Sequence, residues 1–176
     1  MLILSSDSFY IRGLIKRTEG ELWQMQDSEL LYLFDKYANM VYRLALSYLR
    51  NTHDAEDTVQ AVFIKLIEGK AQIVPGKERA LLTQITINHC KDQLRLFWRR
   101  RTEQLEDHIE FVEKEDKELF RAVMSLPEKY RIVVYLHYYE GYSFSEISSF
   151  LGISPSAVSM RLHRSRNSLK SKLKEE

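Results

Sequence analysis

Apolar side chains recur three or four positions apart along nearly all of this 176-residue chain, and residues that break helices are scarce, with six glycines and three prolines. That spacing lines one face of an α-helix, and so few turn residues leave little chemistry for hairpins. The fold expected is therefore all-α. Leu30, Leu31, Phe34, Tyr37, Val41, Leu44, Ala45, Tyr48 and Leu49 form the first stripe. Asn51 or Thr52 then caps a second helix, with Asp54, Glu56 and Asp57 in its first turn and Val59, Phe63, Leu66 and Ile67 inward. Acidic residues there suit the positive end of the helix dipole. Gly69 to Gly76, with Pro75, reads as a loop, and Ala80, Leu81, Ile85, Ile87, His89, Leu94 and Phe97 as the stripe of a third helix.

The second half is more compact. Leu119 to Met124 predicts a short helix, with Pro127 opening the first turn of the next. The aromatic helix Tyr130–Tyr139 stops at Gly141, and Ser143 or Ser145 caps Phe144–Leu151. Ser154 and Pro155 then open a last helix running to about Leu173. The chain divides into an N-terminal extension over 1–24, a helical domain over 25–101, a linker over 102–118 and a second helical domain over 119–176.

A net charge of +1 conceals strong local charge. Lys91, Arg95, Arg99, Arg100 and Arg101 close the first domain. Arg161, Arg164, Arg166, Lys170, Lys172 and Lys174 fill the last helix, which has no carboxylate between Ile153 and Lys174. Between these blocks the linker is acidic, from Glu103 to Glu118. A single charged run is often only a solvated helix face, but two basic blocks, each ending a helical segment, point to a polyanion.

The sharpest pattern runs from Ser143 to Arg166. Ile147 and Leu151 face inward, Gly152 permits a tight turn, Ile153 plugs it, and Val158 and Leu162 pack the next helix back. Ser154, Ser156, Ser159, Met160, His163 and Arg164 then lie at the helix start or outward, beside Arg161 and Arg166. This is the helix-turn-helix arrangement, whose second helix enters the major groove. An ordinary helical hairpin has similar spacing; the acid-free second helix favours DNA.

Leu126-Pro127-Glu128-Lys129-Tyr130-Arg131, Tyr138-Tyr139-Glu140-Gly141-Tyr142-Ser143, Glu146-Ile147, Leu151-Gly152-Ile153-Ser154 and Arg161-Leu162-His163-Arg164-Ser165-Arg166 together resemble region 4 of sigma factors. Asp54-Ala55-Glu56-Asp57-Thr58-Val59-Gln60-Ala61-Val62-Phe63 is similar to sigma region 2.2, and Arg79–Asn88 with Asp92-Gln93-Leu94-Arg95 resembles regions 2.3 and 2.4. The chain is identified by these segments, over roughly Ser28 to Leu173, as a member of the sigma-70 family of the extracytoplasmic-function (ECF) type. The resemblance implies core RNA polymerase as partner, through the β′ clamp and the β flap, with Asp54, Asp57 and Gln60 on the clamp. It implies promoter DNA as the second partner. Asn88, Lys91, Arg95, Trp98 and Arg99 would then take the −10 strand, and Ser154, Ser156, Ser159, Met160, Arg161, His163, Arg164 and Arg166 the −35 duplex. It also implies an anti-sigma factor that occludes these faces. The family commonly carries a tryptophan, an aromatic and a basic residue where this chain has Leu81, Thr83 and Ile87, a carboxylate where it has Ala61, and often a lysine where it has Ser159. Residues 1–24 precede the resemblance and read as an extension or a start assigned upstream of the native one.

Three other classes compete with this reading. His53, His89, His108, His137 and His163 lack the spacing of a metal site, and there is no phosphate-cradling glycine loop or nucleophile elbow, so neither enzyme nor cofactor is expected. A free-standing helix-turn-helix regulator with an N-terminal sensing or dimerisation domain is the main alternative; it would bind duplex alone, commonly as a dimer. A purely protein-binding helical module is the remaining one. The single cysteine, Cys90, and the lack of any long apolar run predict a cytoplasmic protein with no membrane insertion.

Overall fold

The computed structural model describes residues 27–69, 73–100 and 117–173. The described elements are helices α1 (Asp27–Leu49), α2 (Thr52–Ile67), α3 (Glu78–Arg100), α4 (Lys117–Met124), α5 (Glu128–Val134), a π-helical turn (Tyr135–Tyr139), α6 (Phe144–Leu151) and α7 (Pro155–Lys172). The expected extension over 1–24 and residues 102–116 of the expected linker lie outside them, as do the side chains of Trp98 and Arg99.

Helices α1, α2 and α3 pack on one another as the N-terminal unit. Phe34 meets Phe63 edge-on, centroids 4.9 Å apart, at the centre of a cluster with Leu33, Val41, Val62 and Leu82. Asn51 rather than Thr52 caps α2, its Oδ1 accepting from the Asp54 N–H at 3.0 Å. This satisfies one of the N–H groups that a helix start leaves without an intrahelical partner.

The α3 stripe needs correction. Of the residues expected to face inward, Leu81, Ile85 and His89 are only half-buried, and the fully covered face is Leu82, Thr83, Thr86, Ile87 and Cys90. The reason is that α3 is covered from two sides, by α1 and α2 and by α6 of the second unit. Its small polar residues go inside because each finds a partner: the Thr86 hydroxyl donates to the Leu82 carbonyl at 2.7 Å, and Thr83 Oγ1 lies 2.9 Å from the Tyr142 hydroxyl.

The aromatic helix over 130–139 also differs from expectation. Pro127 sits one position before the helix, as its N-cap, and α5 widens after Val134 into the π turn. There the Glu140 N–H reaches the Tyr135 carbonyl, five residues back, at 3.1 Å. The extra residue in the turn leaves Tyr135 and Leu136 buried and Tyr138 and Tyr139 exposed. Gly141, at φ 67°, then ends the segment, as the sequence predicts.

The two units share one core. A continuous buried cluster joins Leu44, Leu49, Ile87 and Cys90 to Ile132, Leu136, Tyr142, Ile147 and Leu162.

Candidate nucleic-acid interface

The helix-turn-helix is held by three local devices. Ser143 caps α6 reciprocally with Glu146: its N–H and hydroxyl donate to Glu146 Oε2 at 2.8 and 2.6 Å, and the Glu146 N–H donates back to Ser143 Oγ at 3.3 Å. Those bonds hold the Glu146 carboxyl below its ordinary pKa, the Ser143 hydroxyl contributing most. Gly152 closes α6 at φ 68°, where the N–H groups of Gly152 and Ile153 both reach the Ser148 carbonyl. Ser154 caps α7, its Oγ accepting from Ala157 N–H at 3.2 Å, with Pro155 in the first turn.

Ile147, Val158 and Leu162 are buried between α6 and α7, and Ser165 is sealed beneath α5 with its hydroxyl on the Arg161 carbonyl at 2.7 Å. The opposite face is open. Ser154, Ser156, Ser159, His163, Arg164 and Arg166 are exposed, and Met160 keeps 55% of its surface in water. Arg161 is half-buried. Arg164 bonds to the Tyr130 phenol and holds its pKa below the ordinary value. Helix α7 has no acid in its first turn, and Lys170 and Lys172 lie in its last. The N-terminal end of the helix dipole and these cations make the open face positive, and hydroxyls, an imidazole and a thioether are exposed on it.

In the N-terminal unit Asp57 is exposed at the start of α2, and Asp54 and Gln60 are half-exposed beside it. Burial, then the Asp57 charge, raises the Asp54 pKa against the opposing pull of His53. These three therefore form a small acidic and amide surface, with Val59 and Phe63 turned to the core. On α3, Asn88 is exposed and accepts from Gln84 Nε2 at 3.0 Å; Lys91 is half-buried; Arg95 is exposed and paired with Asp92 at 3.7 Å. The α2 set and the α3 set lie on separate helices. Among the described residues no group of three His, Cys, Asp or Glu side chains could hold a metal, and no helix is long and apolar enough to cross a membrane.

Sequence reasoning missed the polar side chains between the units. Arg79 Nη2 lies 2.8 Å from Glu140 Oε2 and also donates to the Glu140 carbonyl, and its guanidinium stands 4.4 Å from the Tyr142 ring centroid. Tyr135 donates to Glu140 Oε1 at 2.7 Å, and Thr83 Oγ1 meets the Tyr142 hydroxyl at 2.9 Å. The one sequence signal was Arg131, a charge set immediately before Ile132-Val133-Val134 on the buried side of a helix.

A helix-turn-helix with an open, acid-free second helix, joined to a three-helix unit, defines a two-domain helical DNA-binding factor. Residues 33–101 match the family model for sigma-70 region 2, and residues 116–169 the model for sigma-70 region 4. The chain belongs to the sigma-70 family, in its ECF branch. It is 34% identical over 151 residues to the ECF RNA polymerase sigma factor SigE of Mycolicibacterium smegmatis, covering 78% of this chain but only 59% of that protein. It is 29% identical to the RNA polymerase sigma factor CarQ of Myxococcus xanthus, covering 81% of this chain and 88% of that one. Among solved structures, the sigma factor RpoE in complex with the anti-sigma factor NepR, from Bartonella quintana, superposes with a TM-score of 0.66 at 21% identity. That superposition covers 84% of this chain and 95% of the other, and it shows a shared fold.

Proposed function

We propose that this chain directs promoter-specific initiation by binding core RNA polymerase and DNA with different helices. The observation that carries this is the open face of α7, where exposed Ser154, Ser156, Ser159, Met160, His163, Arg164 and Arg166 stand on a helix start locked by Ile147, Val158 and Leu162. That face, with Arg161 at its edge, reads the −35 duplex, its cations on phosphate and its N-terminal side chains on base edges. Asp54, Asp57 and Gln60 dock on the β′ clamp, and the C-terminal unit on the β flap. Asn88, Lys91 and Arg95, with Trp98 and Arg99 beyond them, receive the unpaired −10 strand, where cations and stacking surfaces hold single-stranded DNA. The protein catalyses nothing itself, needs no cofactor, works in the cytoplasm, and is controlled by an anti-sigma factor.

In vitro transcription with core polymerase tests the reading. Promoter-specific transcripts are expected only when the protein is added; transcription no different from core alone would overturn it.

A further inference from the structure

We propose that Met160 sets the base preference of α7, packing its thioether side chain against the 5-methyl group of one thymine in the −35 element. The inference deepens the reading of α7 as the −35 surface and rests on it.

The order of side chains around α7 gives the first argument. At about 100° per residue, the buried Val158, Leu162 and Ser165 fix the side that faces the protein. Directly opposite runs a stripe of exposed residues spaced four, three and four apart: Ser156, Met160, His163 and Asn167. No lysine or arginine lies in it. The cations stand at its edges. Arg164 is on the flank that meets α5, where it bonds to Tyr130, and the half-buried Arg161 lies on the same flank. Arg166 is exposed on the other flank. A helix in the major groove runs between two phosphate strands, so cations at its edges reach phosphate and the central stripe reaches the bases.

The second argument is the chemistry of that stripe where it enters the groove. The N-terminal residues of the second helix are the ones that meet base edges. Over Pro155–Met160 the exposed side chains are Pro155, Ser156, Ser159 and Met160. None offers the paired donors that Arg brings to guanine, or the donor and acceptor that Asn or Gln brings to adenine. The Ser156 hydroxyl is already engaged, 2.9 Å from Ser154 Oγ, which also accepts from Ala157 N–H. Asn167, the exposed amide of the stripe, lies seven residues beyond Met160, with its Nδ2 3.1 Å from His163 Nε2. Met160 is the large side chain at the entrance, and it keeps 55% of its surface in water although it is apolar. The thymine methyl is the apolar group that base pairs present in the major groove, so contact between the two removes both from water.

The test uses the full chain with core RNA polymerase and a pool of promoter duplexes randomised over both elements. Wild-type protein is expected to enrich an upstream element that contains thymine. Each thymine there is then replaced singly by deoxyuridine, which removes only the 5-methyl group. At one position wild-type affinity is expected to fall about fourfold, the worth of one buried methyl group. Met160→Ala is expected to bind the two duplexes alike, while Met160→Leu, still apolar, keeps the preference. Circular dichroism is expected to show both variants folded, since the position is exposed. An enriched element at which no deoxyuridine weakens wild-type binding would overturn the proposal. So would a folded Met160→Ala that keeps the fourfold loss at the same position. If wild-type protein enriches no element above core polymerase alone, the sigma-factor reading itself fails, and the inference with it.

Discussion

The guanidinium of Arg131, in α5, closes the C-terminal end of α1, donating to the main-chain carbonyls of Ser47 and, at 3.3 Å, Tyr48. It also donates to Leu126 O at 2.8 Å and Met124 O at 3.2 Å, so one buried side chain ties the turn before α5 to the first unit. Burial pushes its pKa down to about 10, which leaves it charged at neutral pH. Positive charge at a helix C-terminus is favourable, and Arg131 supplies a side-chain donor to all four carbonyls. Arg131→Met is expected to lower unfolding stability by at least about 3 kcal/mol, because each buried carbonyl left unpaired costs about 1–3 kcal/mol. Urea titration measures it, and a midpoint within error of wild type would remove Arg131 from this role.

Gly152 supports a prediction of backbone origin. A Cβ added there meets nothing within 4 Å, so only its φ of 68° resists substitution. Gly152→Ala is expected to destabilise by about 1–2 kcal/mol, and Gly152→Asn by less, since Asn tolerates the left-handed region better. Thermal unfolding of the two variants checks the ranking; equal losses would point to a steric cause instead.

His89 predicts acid sensitivity. Burial, and then Lys65, lowers its pKa below the ordinary imidazole value, with Asp92 opposing. The unfolded chain takes up its proton near pH ~6.5, whereas the folded chain does so only at lower pH. Between those values the unfolded state holds more protons, so this contribution to stability is complete above pH ~6.5 and is lost as pH falls below it. Urea midpoints between about pH 8 and about pH 5.5 should decline in wild type and decline less in His89→Gln. Parallel curves would assign the acid sensitivity elsewhere.

Arg164→Ala and Arg166→Ala are expected to weaken promoter binding by the polymerase complex. For each phosphate contact removed, the slope of log affinity against log salt should fall by about 0.9. Arg161→Ala is expected to combine that loss with lost packing, because Arg161 is half-buried. Binding titrations at three salt concentrations distinguish the cases, and an unchanged slope would take the residue off the phosphates.

Asp57 is exposed, so Asp57→Ala is expected to leave stability within about 0.5 kcal/mol of wild type. Its affinity for core polymerase should nevertheless fall, which a pull-down or fluorescence titration reads directly. Unaltered affinity would place the clamp contact on other residues.

Much of this protein was legible in its sequence because the information was local. Asn51, Ser143, Gly152, Ser154 and Pro155 set helix ends by bonds and dihedral preferences spanning a few residues. The pairing of Ile147 with Val158 and Leu162 follows from helical period across a short turn. Tertiary structure alone decided the rest. Which face of α3 is buried depends on two neighbours, one of them more than fifty residues away, so Thr83 and Thr86 replace Leu81 and Ile85 inside. The π turn presents Glu140 to both Tyr135 and Arg79. Arg131 finds two of its four acceptors, Ser47 and Tyr48, more than eighty residues back. Periodicity shows that a side chain must be covered; only the packed molecule determines what covers it, because long-range partners are chosen by the geometry of whole helices.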